Sequence, residues 1–446
     1  MRQSACEVSE KLKIYLLSLG CVKNQVESEM MSGMLDLYGF AIIDNPAAAD
    51  IIIVNTCGFL ISAKEEAIEK ILELAQWKES GACRLLLAVG CMPQKYGAEM
   101  ISSMPELDGV LGSAECADIG EFVTEKLFFA APHPTEKPHD PYMLRHLSTP
   151  PYTAYIKIAD GCDNHCAYCL IPQLRGVYRS RTMESIIAEA KKLLAEGVSE
   201  LILVAQDTTN YGMDIYDTKA LPELLTQLAQ LDFHWIRLLY CYPSRITEEL
   251  LAVMAKHDNI CHYLDIPLQH ADDAVLKNMN RTDTSVSLRE KIALIRKYLP
   301  DIALRTTVMV GFPGETDKSW HNMLKFLQEI CFDWVGVFAY SREGDTPAYS
   351  LPHQVRESTK QRRLEATHSL LNTLSENRMA AFVGRKLEVL TEGREDDGRY
   401  YGRSRYQAPE VDGLVYFNSD TPIKAGSYVT VKITGHDVYD LTGFAI

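Results

Sequence analysis

The chain reads as an α/β protein in three parts: an N-terminal parallel α/β domain, a central partial (β/α)6 barrel and a small C-terminal antiparallel β-barrel of OB-like type. Three observations predict this. Short apolar runs alternate with amphipathic stretches over residues 12–112 and again from 152 to about 345. A proline-rich polar run, "APHPTEKPHDPYMLRHLSTPP", separates the two, and such a run suits neither a continuous helix nor a central strand. After residue 381 the texture changes to short β-branched and aromatic runs punctuated by Gly, Asp and Pro. The expected boundaries are 12–130, a linker at 131–151, 152–380 and 381–446.

In the first region "KIYLLSLG", "DIIIVNT", "RLLLAVG" and "DGVLGS" are continuous apolar runs, as strands buried on both faces require. "VESEMMSGMLDLYGF" and "ISAKEEAIEKILELAQWKE" carry the three-to-four-residue period of covering helices. In the second region six strands are expected: "AYIKIAD", "LILVAQD", "IRLLYCY", "YLDIPLQ", "ALRTTVMVG" and "WVGVFAY". Stretches such as "ESIIAEAKKLLAEG" and "LREKIALIRKYL" supply right-handed crossovers, and six units suit an open barrel better than the closed eight-stranded form. A helical segment at about 354–380 leads to the last region, where "KLEVLTEG", "YYGRSRYQA", "GLVYFN" and "YVTVKITGH" read as strands.

Bulk properties narrow the function. A chain of 446 residues is too long for one ordinary core, and a net charge of -15 argues against a large nonspecific nucleic-acid surface. The opening "MRQSACEVSEKLK" is polar and the first apolar run is too short to span a bilayer, so no membrane partner is expected and the predicted location is cytoplasmic. In that reducing setting clustered cysteines point to metal or redox chemistry rather than disulfides.

The cysteines carry the chemistry. Cys21 follows "YLLSLG", Cys57 follows "IIIVNT" and Cys91 follows "LLLAVG", so all three stand at the carboxyl ends of expected strands, 36 and 34 residues apart. Ligands of a parallel α/β sheet gather at that end, and three thiols placed equivalently there form a candidate metal or cluster site. A second trio, Cys162, Cys166 and Cys169, lies in "DGCDNHCAYCLIPQLRG" directly after the first barrel strand, over the barrel mouth. Each trio lacks a fourth thiol. His165 abuts Cys166, a poor position for a spaced zinc chelate, whereas three thiolates on a cubane leave one iron open. Cys6, Cys83, Cys116, Cys241, Cys261 and Cys331 are expected to be small buried apolar residues.

The run "GCDNHCAYCLIP" resembles the cysteine loop of radical S-adenosylmethionine (SAM) enzymes, and with the upstream trio and the terminal barrel the chain over 12–446 resembles the methylthiotransferases. "SLGCVKNQVESE", "VNTCGFLISAKEEAIEKILELA" and "GCDNHCAYCLIPQLRGVYRSR" are most similar to the branch that modifies an aspartate of a small-subunit ribosomal protein, protein twelve. In the tRNA branch a glutamine-methionine pair more often stands where this chain has Val22 and Lys23. The resemblance implies two [4Fe–4S] clusters, one on Cys162, Cys166 and Cys169 whose open iron receives SAM, the other on Cys21, Cys57 and Cys91 carrying the sulfur to be inserted. It also implies an external electron donor, with one SAM methylating the sulfur and a second driving hydrogen removal from the aspartate β-carbon. Oligomeric state is left open.

SAM-positioning residues are expected at further strand ends: Gln206 and Asp207 in "AQDTTNYG", Gln269 beside His270 in "DIPLQH", Arg305 in the fifth strand, and Gly311, Gly314 and Glu315 in "VGFPGET", which resembles a SAM-contacting segment. Each has a plainer role open to it: a cap or turn former for Gln206, Asp207 and Gln269, a turn for the glycine run, and neutralisation of a buried carboxylate for Arg305.

The last region resembles a TRAM domain, a module associated with RNA binding. Over 380–446 it has 8 basic and 10 acidic residues, a poor composition for tracking phosphates. "GRYYGRSRYQ" interleaves Arg399, Arg403 and Arg405 with Tyr400, Tyr401 and Tyr406, a pattern that suits base stacking, the grip of a protein loop, or simply a two-faced strand. The resemblance assigns it to docking the ribosomal protein. A tRNA adenosine methylthiotransferase is the alternative enzyme, and a zinc-stabilised RNA-binding protein the alternative from another class.

Overall fold

The computed structural model describes residues 11–127 and 140–446, so Cys6 and part of the expected linker lie outside the described residues. The chain divides into two compact units. One comprises Met1–Ser148 with Leu170–Val177; the other comprises Thr149–Cys169 with Tyr178–Ile446.

The first unit is built on a parallel sheet of β1 (Lys13–Ser18), β2 (Ala41–Ile42), β3 (Ile51–Thr56), β4 (Leu85–Gly90) and β5 (Gly109–Gly112), in the order β2-β1-β3-β4-β5. Strand β3 is buried along its whole length. Its alternate residues serve opposite cores: Ile51 and Ile53 meet Met30, Met31 and Met34 of helix Val22–Leu37, while Ile52 and Val54 meet Ala67, Ile71 and Leu74 of helix Ile61–Ala75. The period of two in a doubly covered strand explains the unbroken apolar run. The sequence reading omitted β2, whose two residues are too few to carry a pattern.

The second unit begins with an open, all-parallel sheet of β6 (Thr153–Lys157), β9 (Glu200–Val204), β10 (Trp235–Leu238), β11 (Ile260–Asp265), β12 (Ala303–Val310) and β13 (Trp334–Ala339), in that spatial order. These are the six expected strands. A short antiparallel pair unforeseen from sequence, β7 (Ala159–Asp160) with β8 (Arg179–Ser180), brackets the cysteine loop. The C-terminal part is a closed barrel of β14 (Lys386–Arg394), β15 (Tyr400–Ser404), β16 (Val415–Asn418), β17 (Tyr428–His436) and β18 (Leu441–Ala445), ordered β14-β15-β16-β18-β17. Four of these strands were expected. The fifth, β18, pairs parallel with β16, a departure from a purely antiparallel barrel.

This small barrel closes the amino ends of the large sheet. At the centre of the contact Arg403 grips Glu200 at the start of β9 through Nη1 at 3.1 Å and Nη2 at 2.7 Å, while Arg237 of β10 donates to the same carboxylate at 3.1 and 3.2 Å. All three side chains are out of solvent. Around them Tyr263 donates to Asp412 (2.6 Å), Trp334 Nε1 to the Tyr406 carbonyl (2.9 Å) and Arg405 to the Ile260 carbonyl (3.2 Å). The ring of Tyr428 lies on His234 and edge-on to Trp235. A buried carboxylate between two guanidiniums satisfies the rule that interior charges must be paired.

The base-stacking reading of "GRYYGRSRYQ" is therefore corrected. Arg403 and Tyr400 are buried, and Arg399 pairs with its neighbour Asp397 at 2.8 Å. Cys83, Cys116, Cys241 and Cys261 are buried as expected, but Cys331 is exposed. It holds the left-handed position (φ 54°) that ends helix Asp317–Ile330, where the chain leaves the core.

Candidate functional site: two thiol trios

In the first unit Cys21, Cys57 and Cys91 stand just past β1, β3 and β4. Cys21 caps helix Val22–Leu37 and Cys91 is the first residue of helix Cys91–Ser103, so two sulfurs sit where helix N-termini favour negative charge. Asn24 links them. Its Oδ1 lies 3.7 Å from Cys91 Sγ and 4.0 Å from Cys21 Sγ, and its Nδ2 donates to the Leu19 and Thr56 carbonyls. Cys57 is held against Cys21 by Gly20: at φ 91°, a Cβ there would fall 2.8 Å from Cys57 Cβ. Gly90 (φ 98°) has the same role beside Asn55, whose Oδ1 would lie 2.2 Å from an added Cβ. Only glycine allows both the backbone conformation and the approach.

A buried cation completes this site. Arg175, in the short helix Ile171–Arg175, donates to Asn24 Oδ1 (2.6 Å) and to both Glu27 oxygens (2.5 and 3.1 Å). Leu170 and Leu174 of the same segment pack on Cys91 and Phe59. Burial pushes the Cys91 thiol up to about 12 and also raises Cys57, with Arg175 opposing in both. At Cys21 burial acts upward too, but Lys23, Arg175 and the N–H groups of Asn24 and Lys23 together bring the thiol below its ordinary value. Neither Asn24, Glu27 nor Arg175 was singled out from sequence. The available signal was that helix Val22–Leu37 begins with polar residues yet buries Asn24, Glu27, Ser28 and Glu29.

In the second unit the loop of Cys162, Cys166 and Cys169 leaves β7 through Gly161 (φ 78°). Its backbone is pinned at several points. Asn280 Nδ2 donates to the His165 carbonyl (2.8 Å), Ala167 N to the Met279 carbonyl (2.9 Å), Ala348 N to the Ala167 carbonyl (2.8 Å) and Tyr178 N to Asp163 (3.1 Å). Burial pushes Cys162 up to about 11, opposed by the N–H of Asn164. Cys169 N donates to the Cys166 carbonyl (3.0 Å), closing a turn between the last two cysteines.

The remaining expected residues divide. Gln206 donates to Asp160 (3.1 Å), and Gln269 is half-buried. The buried Gln206 Oε1 and the Gln269 side-chain amide are without a hydrogen-bond partner among the described residues. Asp207 is committed to the loop: it accepts from Asn164 (2.9 Å), Arg245 and Thr209. Arg305 takes its plainer role, pairing with Asp265 (3.0 Å) and Asp412 (3.4 Å). Glu315 is also occupied, bonded to Gly311 N (2.5 Å), Arg363 (2.6 Å) and His270 (3.2 Å), with its side chain out of solvent. Gly311 and Gly314 have φ of 75° and 86° and meet Lys360 and Asn278. In this structure the Glu315, Arg305 and Asp207 side chains are thus engaged with protein partners, and Glu315 closes the turn that the glycines form.

Among the described residues no three Cys, His, Asp or Glu side chains close on a single metal ion. An iron–sulfur cubane instead takes one thiolate at each of three irons, so three spaced thiols beside unpaired amides fit a cluster and a polar small molecule.

An open six-stranded parallel sheet with a three-thiol loop beyond its first strand defines a radical SAM enzyme, and residues 156–327 match the Radical SAM superfamily. Residues 13–112 match the Uncharacterized protein family UPF0004 and 383–446 the TRAM domain. Among solved structures, the fold is similar to the radical SAM methyltransferase TsrM from Kitasatospora setae (TM-score 0.56, 15% identity, 76% of this chain and 77% of that one). Among curated proteins, the ribosomal protein uS12 methylthiotransferase RimO of Pelotomaculum thermopropionicum is 47% identical over 438 residues, covering 97% of this chain and 99% of that one. The RimO proteins of Desulforamulus reducens (46%; 96% and 98% covered) and Clostridioides difficile (45%; 97% and 98%) are similarly close. The chain belongs to the RimO family of radical SAM methylthiotransferases.

Proposed function

We propose that this methylthiotransferase acts on the β-carbon of an aspartate in ribosomal protein uS12, as the names of its relatives suggest for the protein target. It does so with two [4Fe–4S] clusters, one on Cys162, Cys166 and Cys169 and one on Cys21, Cys57 and Cys91. The observation that carries the reading is the repeated arrangement: two trios, each of three thiols from a parallel α/β framework, with neighbouring side chains and turns fixing their supports. When bound, the clusters and SAM supply the one-electron chemistry that activates the carbon and the sulfur that is inserted.

The protein's own residues prepare the two sites differently. At the second trio, Asn164, Asp207 and Arg245 form one hydrogen-bonded group that fixes the loop. Gln206 Oε1 and the Gln269 amide supply unpaired polar atoms for SAM, with the Gln206 amide turned by Asp160. At the first trio, Asn24 and Arg175 place a donor and a positive charge beside thiols that must become anionic to bind iron. The burial of Arg403 in an interdomain ion group favours a protein substrate over RNA, because it withdraws a cation that phosphate binding would need.

The test offers purified uS12 and tRNA in parallel to the reconstituted enzyme with SAM and reductant, and follows the methylthio mass gain. Gain on the aspartate is the expected result; gain on tRNA alone overturns the substrate. Iron and sulfide analysis of the same sample checks the cofactors, and stoichiometric zinc without SAM cleavage would overturn the mechanism.

A further inference from the structure

Strand β13 is an edge. Within the described sheet it bonds to β12 on one side, and no strand bonds to the other. Tyr340 N, just past its end, donates to the Val310 carbonyl at 2.9 Å. The alternation of a parallel ladder then turns the backbone N–H and C=O groups of Val335, Val337 and Ala339 away from β12. Such an edge is a template for another strand, and proteins usually blunt it with charge or proline. Here Trp334–Phe338 carries neither, and a cavity of about 460 Å³ lies against it.

The walls of this cavity suit polypeptide. Phe338 is 57% exposed, Val411 51% and Tyr439 40%, three large apolar side chains around one groove. Gly336 opens its middle: an added Cβ would meet nothing closer than 3.6 Å, and its φ is not positive, so neither space nor backbone requires glycine. Glu410 and Asp412 supply acid at the wall, which also holds His368 of helix Glu357–Ala380, and the Arg305 guanidinium there is already paired with Asp265 and Asp412. The groove runs along β13 from Trp334 to Phe338, nearly the whole strand.

We propose that this groove is an anchoring site for an extended segment of the substrate protein, which adds to the free edge of β13 as a further strand. Its apolar side chains lie against Phe338 and Val411, and a basic side chain lies opposite Glu410. Main-chain hydrogen bonds give such an addition its affinity and the alternate side-chain contacts its selectivity. Charge selects the partner: a chain of net charge -15 with a glutamate on the groove wall attracts a basic polypeptide and repels nucleic acid. The inference rests on the protein-substrate reading above.

Hydrogen exchange of the wild-type enzyme with and without uS12 tests it directly. The amides of Val335, Val337 and Ala339 should exchange more slowly in the complex. Phe338→Ser and Val411→Lys, both at exposed positions and checked for an unchanged melting temperature, should raise KM for uS12 about ten-fold or more with kcat retained, the loss expected for one buried apolar contact. Methylthio gain on uS12 with no protection at β13 and unchanged KM would overturn the anchor alone. Protection by tRNA instead of uS12 would also overturn it, and gain on tRNA in place of uS12 would sink the reading beneath it.

Discussion

Glu200→Gln removes the carboxylate that Arg403 and Arg237 share, leaving buried Arg237 facing a neutral amide and Arg403 with Glu392 as its remaining carboxylate partner. Glu200 is wholly enclosed; burial would raise its carboxyl, but the two arginines hold it at about 2, against an ordinary value of 4.5. At about 1.4 kcal/mol for each pH unit, that difference corresponds to roughly 3 kcal/mol of stability at neutral pH. The figure agrees with the roughly 3–5 kcal/mol lost when one partner of a buried ion pair is removed. Trp235 and Trp334 lie at this contact, so urea unfolding followed by tryptophan fluorescence reports on it. A carboxyl held low contributes fully above its unfolded value and loses that contribution as pH falls through its folded one. The gap between wild type and Glu200→Gln should therefore be widest near pH 7 and narrow between about pH 4.5 and 2. A gap below about 1 kcal/mol at pH 7, or one that does not narrow with acid, would refute the reasoning. Replacing the whole group with apolar residues should cost much less than Glu200→Gln, since the penalty arises from unpaired charge.

Cys162→Ser should abolish SAM cleavage, measured as 5′-deoxyadenosine release. Serine at Cys21, Cys57 or Cys91 should preserve that release and abolish methylthio transfer, and retained transfer would defeat the two-cluster assignment. Arg175→Met leaves Glu27 buried without its guanidinium; it should lower the melting temperature by an amount consistent with about 3–5 kcal/mol and reduce iron per chain while the Cys162 loop still supports SAM cleavage. Burial pushes Asp412 up to about 6, with Arg305 opposing, so its contribution is full below 3.8 and is lost as pH rises through about 6. Asp412→Asn should flatten the dependence of melting temperature on pH between about 4 and 6.

The legible parts of this molecule were those that repeat. Doubly buried strands such as "DIIIVNT" announce themselves because both faces need apolar residues, and the equivalent placement of Cys21, Cys57 and Cys91 follows from the parallel topology. What the sequence concealed depends on tertiary partners. Nothing local in Glu315 distinguishes a ligand contact from a carboxylate that accepts from Gly311, Arg363 and His270. Arg403 alternates with tyrosines as a nucleic-acid-binding residue would, yet its partner Glu200 is 203 residues away in sequence. Arg175 was part of a quoted motif, but its role is set by Asn24 and Glu27, more than a hundred residues earlier. The two-residue β2 and the isolated pair β7 and β8 are below the length at which periodicity has meaning.

The short segment Leu170–Val177 gives the molecule an order of assembly. It belongs to the first unit although the chain has by then already passed through Cys162, Cys166 and Cys169. As the polypeptide emerges from the ribosome, the N-terminal sheet can form early, but Cys91 lacks its cover of Leu170 and Leu174, and Glu27 its counter-charge, until Arg175 has been made. The upstream thiols are thus covered only after Cys162, Cys166 and Cys169 exist in the chain, whereas the loop that carries those three must still wait for Met279, Asn280 and Ala348.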